Sequence, residues 1–104
     1  MIVDVHSHFF TYPQHFSADF VKQSLRARNG VEVDLTVRWN EYEATATDCR
    51  WTVVFGGKAR LSGLWVPDTE VAGYVAQHPD RLIGFLSVDP TDPNWRDDLI
   101  EGHQ

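Results

Sequence analysis

The sequence predicts an α/β fold, a parallel sheet of about three βα units with one extra amphipathic strand, and three observations predict it. Two near-continuous apolar runs, residues 51–55 (Trp-Thr-Val-Val-Phe) and 82–88, suit parallel strands covered on both faces. Segments with apolar residues at helical spacing separate those runs from each other and from an apolar strand that opens the chain. Residues 31–39 alternate strictly, with Val31, Val33, Leu35, Val37 and Trp39 set against Glu32, Asp34, Thr36 and Arg38, the period of a strand with one wet face. The order strand, helix, strand, helix, strand, helix is that of a parallel sheet joined by crossover helices.

The elements follow in order. Residues 2–8 form the first strand, where Ile2, Asp4, His6 and His8 share one face because side chains alternate along a strand. Pro13 biases Tyr12 away from helix, so residues 9–13 are a loop. Residues 14–28 carry Phe16, Phe20, Val21 and Leu25 near helical spacing, with Ser17 as a start signal and Asn29-Gly30 as a stop. Tyr42, Ala46 and Cys49 line a short helix over 41–49. After Gly56-Gly57, residues 58–67 have no clean period and read as loop. Pro67-Asp68-Thr69-Glu70 opens a helix with acidic side chains at the positive end of its dipole. It ends at His78-Pro79-Asp80. The strand over 82–88 is closed by Asp89-Pro90, and a last helix covers 95–101.

A chain of 104 residues has room for one core and reads as a single domain over 1–104. Its hydrophobic fraction of 42% and charged fraction of 23% are those of a globular chain. The formal net charge of −6 disfavours phosphate backbones and anionic lipid, so neither nucleic acid nor membrane is an expected partner. No apolar stretch is long enough for a membrane span, and no basic n-region or long apolar h-region marks a signal peptide. The one cysteine, Cys49, can form no internal disulfide, which points to a reducing, cytoplasmic setting. It reads as a buried structural thiol.

His6-Ser7-His8 is the motif that carries chemistry. Histidines at i and i+2 project from one strand face, so both imidazoles reach a single divalent cation at Zn–N distances of about 2.0–2.1 Å. They stand at the C-terminal end of the first strand, the end at which parallel α/β folds assemble their sites. Zinc is favoured, with manganese, iron, cobalt or nickel open. The plain alternative is two strand-end histidines bonded to their neighbours.

The opening Met-Ile-Val-Asp-Val-His-Ser-His-Phe resembles that of the amidohydrolase superfamily, in particular the amidohydrolase-related branch that includes aminocarboxymuconate semialdehyde decarboxylase. Residues 48–56 are similar to that family's second-strand segment, and residues 78–85 with 87–90 to its third-strand region. The resemblance implies a metal-dependent (β/α)8 barrel in which His6 and His8 hold the catalytic cation. It also implies hydrolysis by activated water, or non-oxidative decarboxylation of a small carboxylate, with lactones or amides as the hydrolytic substrates. Such a barrel runs to about 250 residues, so this chain matches about three βα units, an N-terminal portion. The family's later metal ligands, a mid-barrel histidine and a last-strand aspartate, have no counterpart here. The competing expectation is an inactive, truncated relative that at most binds metal or self-assembles.

Asp89, at the end of the third strand, and Arg60, in the loop after the second, are the candidate substrate-binding residues. An arginine there can pair with a substrate carboxylate, although a solvated loop arginine and a plain Asp-Pro turn are the simpler readings. His15 is expected to face solvent, His78 to cap its helix, and Trp65 to pack over the site or a helix end. Three strands of a barrel expose two edges, so a homo-oligomer formed by edge pairing is expected.

Overall fold

The computed structural model describes residues 1–103, and its strands assemble in the predicted parallel sense. β1 (Ile2–His8), β2 (Cys49–Phe55) and β5 (Leu82–Gly84) form one sheet in the order β1-β2-β5. Both pairings are parallel, with Val3 opposite Trp51, His8 opposite Phe55 and Val53 opposite Ile83. Asp4 faces Thr52 whereas Ser7 faces Val54, so β1 holds an extra residue there, a bulge of the kind that re-aims side chains.

Helix α1 (Ala18–Ala27) begins where its cap dictates: the Ser17 side chain accepts the Phe20 N–H at 3.1 Å. Helix α2 (Trp39–Thr45) starts earlier than its pattern suggests, and Cys49 belongs to β2 instead. Residues 58–67 are more ordered than a loop. A small antiparallel hairpin, β3 (Lys58–Ala59) with β4 (Leu64–Trp65), encloses a single 3-10 turn. Gly63 closes that turn at φ +86°, and a Cβ on it would fall 2.2 Å from the Ser17 hydroxyl. Helices α3 (Asp68–Ala76) and α4 (Trp95–His103) complete the chain.

Two strand expectations are corrected. Residues 31–38 form no strand, because their polar groups are satisfied by one another and by the loop after β1 instead of by a ladder. Asp34 accepts the Thr36 N–H and the Arg38 guanidinium, which holds its carboxyl down to about 2. The Thr36 hydroxyl in turn accepts the Tyr12 N–H, and Val37 N–H donates to the Phe10 carbonyl. Alternation alone does not make a strand without a neighbour to pair with. The third strand also stops at Gly84 rather than 88, since the Ser87 N–H donates to Asp68 and its hydroxyl accepts the Gly57 N–H.

The core gathers Val54, Val66, Val71, Tyr74 and Leu82, with Phe9, Phe10, Trp39, Leu64 and Val75 packed around it. Trp39, read as the last residue of an alternating strand, instead stacks its ring on His78 at 3.8 Å. The His78 N–H meanwhile donates to the Val75 carbonyl at 3.0 Å, at the helix end where a capping role is expected. The molecule is thin, 40 × 35 × 19 Å. Val5 and Ile83 remain 70% and 41% exposed.

Val66 is fully buried against Gly56, where an added Cβ would fall 2.5 Å from the Val66 Cβ. Neither atom is the far end of a flexible chain, so Gly56→Ala is expected to destabilise the fold by about 1–3 kcal/mol. A urea midpoint equal to that of the parent chain would contradict this packing.

Candidate metal centre

His6 and His8 converge. Their Nε2 atoms stand 3.2 Å apart and their ring centroids 5.2 Å apart. The side chain of Phe55, opposite His8 in the ladder, packs against both rings at 5.1 and 4.5 Å, and Phe10 stacks on His8 at 5.0 Å. The aromatic surround limits both rings to a narrow range of orientations, while His6 remains exposed at the sheet edge.

The partners of His8 determine its tautomer. Its Nδ1 lies 3.2 Å from the Gly56 carbonyl, and a carbonyl only accepts, so Nδ1 carries the proton. The Nε2 lone pair is thereby turned toward His6. A ligating histidine held by a carbonyl through its other nitrogen is the usual outer-shell arrangement of metal sites. Without a cation, the His6 Nε2–H donates into the same lone pair.

The spacing of the two nitrogens, though not their number, matches a tetrahedral site. Two nitrogens 3.2 Å apart, each about 2.05 Å from one zinc, would subtend roughly 100° at it, near the tetrahedral angle. No group of three or more His, Cys, Asp or Glu suited to a metal occurs among the described residues. Asp4 is the carboxylate closest along the strand, and it is engaged with the His6 N–H at 3.0 Å and the Tyr42 hydroxyl at 3.2 Å.

Arg60 and Asp89 meet each other. Asp89 is buried, and it accepts the Arg60 backbone N–H at 2.7 Å and the Thr91 N–H and hydroxyl at 2.9 and 2.7 Å. The Arg60 guanidinium donates to the Thr91 carbonyl at 2.8 Å. Together they clasp the hairpin turn to the segment after β5.

His15 corrects the expectation of a solvent-facing residue. It is only 6% exposed. Its Nδ1 accepts the Thr11 N–H at 2.8 Å, so the proton sits on Nε2 and is directed at Glu70. Both ring nitrogens are thus consumed in joining the loop after β1 to the first turn of α3. No periodic signal reveals this, because the two partners are 55 positions apart.

Three larger clefts lie elsewhere among the described residues, one of about 340 Å³ bordered by Val71, Val75, Phe85 and Leu86 and two beside Trp65. One of about 490 Å³ is bordered by His15, Phe16, Trp65 and Glu70, and one of about 300 Å³ by Lys58, Trp65, Asp68 and Asp98. Trp65 belongs to these last two clefts, where Lys58 Nζ sits 5.4 Å from its ring, and it lines no cavity with His6 or His8. A cavity of about 10 Å³ does reach His8, beneath Tyr42 and Tyr74, but it is too small for an organic ligand. Anything that meets the His6–His8 pair approaches from its exposed side. Cys49 is half-buried, away from both histidines in the ladder. No helix among the described residues is long and apolar enough to cross a membrane.

Comparison of the chain with protein-family profiles, with curated proteins and with solved structures finds no match.

The Asp89 clasp is pH-sensitive. The Thr91 hydroxyl, then the Arg60 and Thr91 N–H groups, hold its carboxyl below the usual range. Its contribution is therefore complete above the unfolded-state value of about 3.9 and is lost as pH falls through the lower, folded value. Asp89→Asn is expected to lower the urea midpoint at neutral pH and to narrow its gap from the parent chain in acid. An equal deficit at both pH values would reject the clasp.

Proposed function

We propose that this chain binds a divalent cation, zinc in the first instance, through His6 and His8. In this reading it carries the metal-binding portion of a hydrolase or non-oxidative decarboxylase of the amidohydrolase-related type. One observation carries the reading: the two Nε2 atoms converge at 3.2 Å while the Gly56 carbonyl fixes the His8 proton on the opposite nitrogen. The architecture supports it as well. Parallel neighbours in the sequence order β1, β2, β5 with helices between them are what the opening turns of a (β/α)8 barrel would show, with the histidines at the strand end where such barrels work.

A divalent cation held there would supply Lewis acidity, lowering the pKa of a bound water from 15.7 to about 7 or polarising a substrate carboxylate. The residues of this chain do the rest of what can be assigned. Phe55 and Phe10 shield one side of the imidazoles from water and hold their planes, and Gly56 keeps a proton off the His8 donor atom. The substrate would be a small carboxylate, lactone or amide arriving from solvent, in a cytoplasmic setting. Arg60 and Asp89 bind each other, with the Arg60 N–H donated to the Asp89 carboxylate.

A second reading is a metal-binding or self-assembling module without turnover. It is favoured by the donor count, since a catalytic zinc normally has three protein ligands and water and the described residues bring two together.

Calorimetric titration with zinc chloride tests the shared core of both readings. His6→Ala and His8→Ala are each expected to weaken binding by at least about tenfold, or 1.4 kcal/mol, with the circular dichroism of the His6 variant unchanged because that ring is exposed. Affinity equal to the parent's in both variants would reject the site. Assay of the zinc- or manganese-loaded chain against carboxylated aromatics, lactones and amides then separates the enzyme from the module.

A further inference from the structure

The geometry points to a second copy of this chain as the source of the missing ligands: we propose that one divalent cation joins two chains through the His6–His8 pair of each. This rests on the reading of His6 and His8 as metal ligands, and extends it to what completes the coordination.

The donor count states the need. Zinc in a closed site takes four protein donors in a tetrahedron, and the described residues bring two nitrogens together, at a spacing that matches one edge of it. The remaining edge has the same requirement, and an identical pair related by a two-fold axis meets it. Such a contact is isologous, using one patch on both chains.

Placement makes the pair available for this. β1 is an edge strand, bonded to β2 alone, and His6 is exposed. Ile2, on the same face of the strand by alternation, is 53% exposed, apolar surface that a copy set against the histidine pair would cover. The body is only 19 Å thick.

Electrostatics favour a cation at the link over plain strand pairing. Each chain carries a formal charge of −6, so two copies repel one another, and a divalent cation at their contact offsets part of that repulsion. Asp4 adds to this, because its carboxylate occupies the His6 N–H and a charged group on an edge discourages plain strand addition. A cation with four imidazoles has no open position for water. The joined form is thus a closed, unreactive state, and any turnover belongs to the single chain.

Sedimentation velocity of the full chain, with zinc chloride titrated in and then removed by chelator, tests the proposal. The expected result is a mass twice the 11.9 kDa of one chain, reached at about one zinc per two chains and reversed by chelation. His6→Ala is expected to remain single at every zinc level. Ile2→Lys, at an exposed position on the histidine face that ligates nothing, is expected to weaken association about tenfold or more while zinc still binds. With cobalt in place of zinc, the visible spectrum of the joined form should carry the intense bands of tetrahedral four-coordination. Zinc bound at one per chain with an unchanged mass would overturn the shared site and leave the ligand reading standing. No zinc binding would overturn both, and a dimer that persists in chelator would show that the cation is not the link.

Discussion

The hydrogen bond between His8 and the Gly56 carbonyl is the constraint on which the candidate centre depends. It places a proton on Nδ1 and a lone pair on Nε2, and it does so from the backbone, which has no second rotamer to offer. That carbonyl is itself held by packing. Gly56 is pressed against Val66 and Val71, two members of the core, with no room for a side chain. The ladder then places Phe55 opposite His8, so the residue that cradles both imidazoles and the residue that sets the tautomer are consecutive. The chemistry at the sheet edge is in this sense a property of the core beneath it.

Much of this was legible in the sequence, and the exceptions have identifiable causes. The apolar run at 51–55 and the Ser17 cap depend on local chemistry and emerge where the residues indicate, as do the parallel strands. The convergence of His6 and His8 follows from alternation, although the bulge between Asp4 and Ser7 lies beyond what a period of two can reveal. Residues 31–38 misled because their alternation is real while their polar side chains find other partners: Asp34 bonds the backbone two residues on, an option that competes with any ladder, and Thr36 reaches back to the Tyr12 N–H in the loop after β1. His15 misled for the opposite reason. Its partners are Thr11 close by and Glu70 far along the chain, and only the folded state brings them together. Arg60 lies in the 3-10 turn of the hairpin instead of a loop, and Asp89 lies beyond the end of β5 instead of at its tip, and long-range pairing makes each the other's partner.

The acidic first turn of α3 shows the same contrast between local and distant chemistry. Asp68 and Glu70 suit the positive end of the helix, but each also reaches across the fold. Glu70 meets His15, and Asp68 accepts both the Ser87 N–H and the Lys58 ammonium. These ties join α3 to the loop after β1, to the segment after β5 and to the hairpin.

Lys58 carries that arrangement one step further. Its ammonium is almost wholly enclosed, and it bridges Asp68 at 3.1 Å and Asp98 of α4 at 3.4 Å. Helix α4 buries none of its own residues, so little apolar surface holds it down. Were that nitrogen acetylated, its charge would vanish and two carboxylates would confront each other across the gap. The C-terminal helix would then lose the tie that joins it to the hairpin and to α3.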